Sequence, residues 1–238
     1  VEYNEAYLRT LKSIIKPSCI ITDVGSVKTN IHKVVIDEGM EENFIGGHPM
    51  AGSEKTGYEN SSAQLCENAF YAITPTSLSS SEKVSEYRAI VESIGAIPIV
   101  LDYRTHDYSV AAISHLPHII AAQLVNLVRD NDSGTQIMKQ MAAGGFKDIT
   151  RIASSSPEMW EQICMTNSEN IATLLDKYID YLQSAKKMLI EKNGSGINEL
   201  FQKSRVYRNS FNDGGIGLIR KEFLIYLDIA DKAGAIGK

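Results

Sequence analysis

Phe44-Ile45-Gly46-Gly47-His48-Pro49-Met50-Ala51-Gly52-Ser53-Glu54 is a short apolar run that ends in Gly-Gly and hands a histidine to a proline. The run predicts a strand over 44–47, with His48 presented at its carboxyl end. Pro49 biases His48 toward extended backbone, and Gly52 leaves room for a ligand to approach the main chain. Histidine is the side chain whose ordinary pKa lets it take or give a proton near neutrality. A turn carrying a surface histidine is the plainer reading of the same residues.

Working outward, the neighbouring segments repeat a strand-and-helix alternation. Apolar residues at helical spacing predict a helix over 3–15, closed by Pro17. Cys19-Ile20-Ile21-Thr22-Asp23-Val24 reads as a strand ending at Gly25-Ser26, with Ser26 capping a helix over 27–38. Beyond a polar loop, 69–73 and 97–101 read as strands, and 80–94 as the helix between them. This alternation predicts an α/β sheet with helices on its faces. After Asp102 no strand signal appears for about a hundred residues, so an all-α part follows the sheet. It opens with a helix over 105–129 that Pro117 should kink. A short helix over 133–143, a structured loop over 146–156, a helix from Pro157 toward Asn193, and a last helix over 197–211 complete it. The expected domains are 1–102, 103–211 and a tail, 212–238.

Bulk composition bounds the function. The chain has 238 residues, 43% of them apolar, enough for a real core. A formal net charge of −5 argues against a nucleic-acid partner. Cys19, Cys66 and Cys164 are scattered and odd in number, as in a reducing cytosol. No charged-then-apolar leader opens the chain, so no secretory signal is expected. The tract 111–128 is interrupted by His115, Pro117 and His118 and reads as a buried helix, with no membrane partner expected. Both ends look cut.

Four constellations could carry chemistry. Asp23-Val24-Gly25-Ser26-Val27-Lys28 sets backbone N–H groups and a hydroxyl at the carboxyl edge of a sheet, where ligands of open α/β folds bind. The His48 loop, with Glu54 downstream, is the second. In Ser114-His115-Leu116-Pro117-His118, Ser114 and His118 share a helix face. Its histidines could join His106-Asp107 at a metal, but metal sites need more converging ligands, so none is expected. The fourth is Gly144-Gly145-Phe146-Lys147-Asp148-Ile149-Thr150-Arg151-Ile152-Ala153-Ser154, followed by Ser156-Pro157-Glu158-Met159-Trp160. Arg151 offers a planar fork suited to a carboxylate, or it pairs with Asp148 or Glu158.

Taken together, these motifs resemble the prephenate dehydrogenase family of tyrosine biosynthesis, which includes arogenate-using members. DVGSVK, HPMAGSE, SHLPH and GGFKDITRIASSSPEMW match it in order and approximate spacing over about residues 1–211. The resemblance implies a partial Rossmann-type sheet, its first half missing, followed by a helical dimerisation domain. It implies oxidative decarboxylation of prephenate, or of arogenate, with hydride transfer to NAD or NADP. His48 would accept the substrate hydroxyl proton, with Ser26 beside it and the nicotinamide. His118, Arg151, Ser114 and Lys147 would hold the substrate, and Glu54 would pair with Arg151 in the empty site. Val24, Ser26, Gly144 and Asp148 would meet the cofactor. A non-catalytic helical module and a metal hydrolase using His106, His115 and His118 are the competing readings.

None of the seventeen glycines forms the Gly-x-Gly-x-x-Gly turn that a dinucleotide site needs. The family carries it upstream of the point matching Val1, so this chain by itself is expected to bind NAD poorly and to be inactive. Residues 223–238 resemble the opening of an ACT domain, which implies tyrosine feedback through a region beyond Lys238.

Overall fold

The computed structural model describes residues 2–52, 57–62, 64–132 and 134–211. The expected segment 212–238 and Glu54 lie outside them.

The first part is a three-stranded sheet with helices on both faces. β1 (Ile45–Pro49), β2 (Phe70–Pro75) and β3 (Ile97–Val100) lie in the order β1-β2-β3. β1 pairs antiparallel to β2, with His48 opposite Ala72, and β2 pairs parallel to β3. Alternation along the chain sends Phe44 and Ile45 to opposite faces. Phe44 packs with Leu8, Ile31, Val34, Val35 and Met40 from α1 (Glu2–Leu11) and α2 (Thr29–Asp37). Ile45 packs with Tyr71, Ile73, Tyr87, Val91 and Ala96 under α3 (Ser81–Ser93). Ser80 caps α3 by accepting from Lys83 N–H, and Gly95, at φ +78°, ends it as expected.

Two expectations need correction here. The segment 19–24 makes only one parallel bridge, Ile21 to Phe44, and not a strand. Ser26 does not cap α2: the helix starts at Thr29, and its side-chain acceptor is Asp107, from the other part of the molecule.

The second part is helical. α4 (Tyr103–Val110), a π-helical turn (Ala111–His115) and α5 (Leu116–Asn131) form one continuous helical stretch. The widened turn falls immediately before Pro117, which lacks an N–H and whose ring would crowd the preceding turn. α6 (Ile137–Met141), α7 (Gly144–Thr150) and a 3₁₀ turn (Arg151–Ser154) follow. Thus 144–150, expected as a glycine-broken loop, is helix, because α7 packs against α5. α8 (Pro157–Thr166) begins on a Ser156 cap with Pro157 in its first turn, as the sequence predicts. α9 (Ser168–Ile190) and α10 (Gly194–Asn209) complete the described chain, Asn193 capping α10 through Gly196 N–H.

The stretch Tyr103–Asn131 is long and apolar enough, by length and composition, to cross a membrane, yet only 28% of its most apolar window is buried. The expected buried helix is therefore half right. One side faces the cleft described below, while Ile119, Leu124 and Leu127 line an apolar groove shared with Leu175, Ile179 and Leu182 of α9.

Candidate active site

Where the sheet meets the helical part there is a cleft of about 350 Å³. Ser26, His48, Gly52, Ser114, His118 and Trp160 are among its walls. Of the residues expected at the site, the structure therefore gathers Ser26, His48, Ser114 and His118 around one space. Val24, beside Ser26, is 66% exposed. Lys147, Asp148 and Gly144 on α7, and Arg151 on the following turn, are exposed and are not among the cleft's lining residues; their neighbours Ile152 and Ser155 are.

Backbone packing fixes His48. Gly46 and Gly47 are required by close approach: a Cβ on Gly47 would lie 2.4 Å from Tyr87 Oη and 2.6 Å from the Asp23 carbonyl. Lys28 is fully buried; its ammonium donates to the Asp23 carboxylate and, at 2.6 Å, to the Gly47 carbonyl just before His48. Asp23 also accepts from Gly25 N–H at 2.8 Å and Gly47 N–H at 3.3 Å. The Asp23–Lys28 motif thus ties the Ser26 loop to the strand that carries His48. Burial lowers the Lys28 pKa, and Asp23 opposes that fall.

His48 is half-buried and its Nδ1 lies 2.9 Å from His106 Nε2. His106 Nδ1 lies 2.8 Å from Asp107 Oδ1. Asp107, fully buried, also accepts from Lys28 N–H (2.8 Å), Thr29 N–H (2.7 Å) and Thr29 Oγ1 (2.5 Å). Burial pushes its carboxyl up, but hydrogen bonds from His106, Thr29 and Lys28 outweigh that and hold the pKa below its ordinary value. Burial first, with the charge of Lys28 adding to it, pushes the His48 pKa down to about 3.

The helical wall supplies two more imidazoles. His118 Nδ1–H donates to the Ser114 carbonyl at 2.8 Å, and its ring stacks on Trp160 at 3.7 Å. That leaves Nε2 of His118 for a ligand. His115 Nδ1 lies 3.1 Å from Asn167 Nδ2, and burial lowers its pKa to about 4. The buried indole N–H of Trp160 has no hydrogen-bond acceptor among the described residues. No group of three His, Cys, Asp or Glu side chains that could hold a metal ion occurs among the described residues.

The sequence reading missed His106–Asp107 as site residues and gave them only as nearby metal ligands. Their available signal was position, in the first turns of a helix that follows a strand. Trp160 appeared only as part of a motif.

Residues 1–100 match the family description "Prephenate dehydrogenase, nucleotide-binding domain", and residues 102–203 match "Prephenate dehydrogenase, dimerization domain". A sheet half of the nucleotide-binding class is thus followed by a helical dimerization domain. The chain belongs to the prephenate dehydrogenase family. It is 33% identical over 226 residues to the prephenate dehydrogenase of Bacillus subtilis, covering 94% of this chain and 61% of that protein. Among solved structures, prephenate dehydrogenase from A. aeolicus, in complex with hydroxyphenyl propionate and NAD+, superposes with a TM-score of 0.81 at 28% identity, covering 89% of this chain and 73% of that one. Synechocystis arogenate dehydrogenase gives 0.80 at 27% identity, covering 89% and 76%. The chain thus spans less than two thirds of the length of the Bacillus relative.

Proposed function

We propose that the protein carrying this chain oxidises prephenate to 4-hydroxyphenylpyruvate and CO₂, with NAD as hydride acceptor, in tyrosine biosynthesis. The observation that carries the reading is the cleft in which His48, from the sheet edge, faces Ser114 and His118 from the helical half. NAD, when bound, takes hydride from the hydroxyl-bearing ring carbon. His48 takes the hydroxyl proton as that hydride leaves. The bond from the ring to its carboxylate then breaks, its electron pair aromatises the ring, and the proton returns to the phenolate oxygen. Proton transfer of this kind is worth about 10²–10⁴ in rate. At neutral pH His48 is unprotonated, the state a base needs; a bound dianionic substrate raises its basicity.

Other roles follow from placement and from the family. His118 Nε2 and the unaccepted indole N–H of Trp160 suit polar groups of the substrate, and Ser114 stands beside them. Arg151 and Lys147, exposed on the segment whose Ile152 and Ser155 line the cleft, would supply cationic charge for the carboxylates. Exposed Val24 and the cleft residue Ser26 fit the nicotinamide end, and Gly144 and Asp148 would meet the cofactor as the family resemblance implies; the sequence contains no Gly-x-Gly-x-x-Gly turn for the pyrophosphate. The division at residues 102/103 follows the change from sheet to helix. Homodimerisation would cover the apolar groove between α5 and α9. Three unpaired cysteines fit a cytoplasmic protein, and inhibition by tyrosine belongs to the same reading.

The test is turnover of the intact protein with prephenate and with arogenate, each with NAD and NADP. The proposal expects prephenate with NAD to be the best pair, and product formation to fall when tyrosine is added. Failure to turn over either acid with either cofactor would overturn it.

A further inference from the structure

The hydrogen bonds behind His48 run in one direction. A carboxylate can only accept, so the His106 Nδ1 that lies 2.8 Å from Asp107 carries a proton. A neutral imidazole carries one N–H, and here Nδ1 holds it. His106 Nε2 is then bare and can only accept, and at 2.9 Å it takes its hydrogen from His48 Nδ1. One nitrogen of His48 remains for the cleft, and it is unprotonated.

We propose that His106 and Asp107 are positioning residues that hold His48 in the Nδ1–H tautomer and so leave its Nε2 lone pair for the substrate hydroxyl. This rests on the reading of His48 as the base. The anchor is firm because Asp107 is fully buried and its other bonds go to Lys28 and Thr29 at the start of α2. One carboxylate therefore fixes both the tautomer of the base and the helix behind the Ser26 loop. The role is the one a buried aspartate plays behind a catalytic histidine in hydrolases, here relayed through a second imidazole.

The experiment is long-range ¹H–¹⁵N correlation spectroscopy of the histidine side chains in the ¹⁵N-labelled protein at neutral pH, with His48 assigned by the signals lost in His48→Asn. The proposal expects a protonated-type shift at His48 Nδ1 and a bare-type shift at Nε2. His106→Phe keeps a ring but removes the acceptor. It should return His48 toward the Nε2–H form that neutral histidine favours in water, with far-UV circular dichroism unchanged. Turnover should fall roughly 10²–10⁴-fold, with KM changed only a few-fold. An Nε2–H signal on His48 in the wild-type spectrum, or a doubly protonated His106, overturns the proposal whether or not the variant folds. If the tautomer is as stated but His48→Asn turns over normally, the assignment of His48 as base fails and the tautomer stands.

Discussion

Asp107→Ala should be among the most destabilising single changes in the described structure. The carboxylate accepts four hydrogen bonds, from Lys28 N–H, Thr29 N–H, Thr29 Oγ1 and His106 Nδ1, at a fully buried position. α2 has no side-chain cap of its own at its start, so Asp107 is its cap supplied from a distance. A lost cap costs about 1 kcal/mol, and each buried donor left without an acceptor costs about 1–3 kcal/mol. Relief of the buried charge and entry of water offset part of this, which leaves roughly 3–5 kcal/mol, as for other broken buried networks. Urea unfolding followed by the fluorescence of Trp160, the single tryptophan, measures it. With a slope of about 2–3 kcal/mol per molar urea, the midpoint should fall by about 1–2.5 M. Asp107→Asn, which keeps one acceptor oxygen, should fall between the two. A loss below about 1 kcal/mol for the alanine variant would refute the assignment of this carboxylate as the joint between the two halves.

Two further outcomes follow from the same geometry. Gly47→Ala puts a Cβ against Tyr87 Oη and the Asp23 carbonyl, so it should cost about 1–3 kcal/mol of overpacking, read by the same urea titration. Acid should also destabilise the fold early. Burial is the leading cause that brings His32, His48 and His115 down to about 4, 3 and 4, below the 6.5 of the unfolded chain. Native rings stay neutral while unfolded ones charge. This contribution is fully present above pH 6.5 and is lost as pH falls toward 4, at roughly 4 kcal/mol per pH unit at most for three protons. Stability that stays flat from pH 7 to pH 5 would contradict it.

What was legible in the sequence was whatever local chemistry decides. Ser80 and Ser156 as caps, Pro157 in a first turn, Gly95 at a helix end and the apolar runs of β1 to β3 put those elements within a few residues of their places. His48 at a strand end, and Ser114 with His118 on one helix face, were equally readable. Long-range contacts account for the misses. Ser26 looked like a cap, but the acceptor for α2 comes from 79 residues away in sequence. Gly144-Gly145 looked like a breaker, but packing against α5 keeps α7 helical despite the glycine cost. A kink was expected at Pro117; what the structure shows is a π-helical turn over Ala111–His115, just ahead of it. His106 and Asp107 could not be joined to His48 from spacing, because 58 residues and a sheet edge separate the two imidazoles.

The central claim is that His48 is the proton acceptor in a cleft built from both halves. Its most direct measurement is prephenate turnover and prephenate binding by the His48→Asn variant of the intact protein, measured side by side. Turnover should drop about 10²–10⁴-fold while the dissociation constant moves only a few-fold. Turnover at the wild-type level would contradict the account.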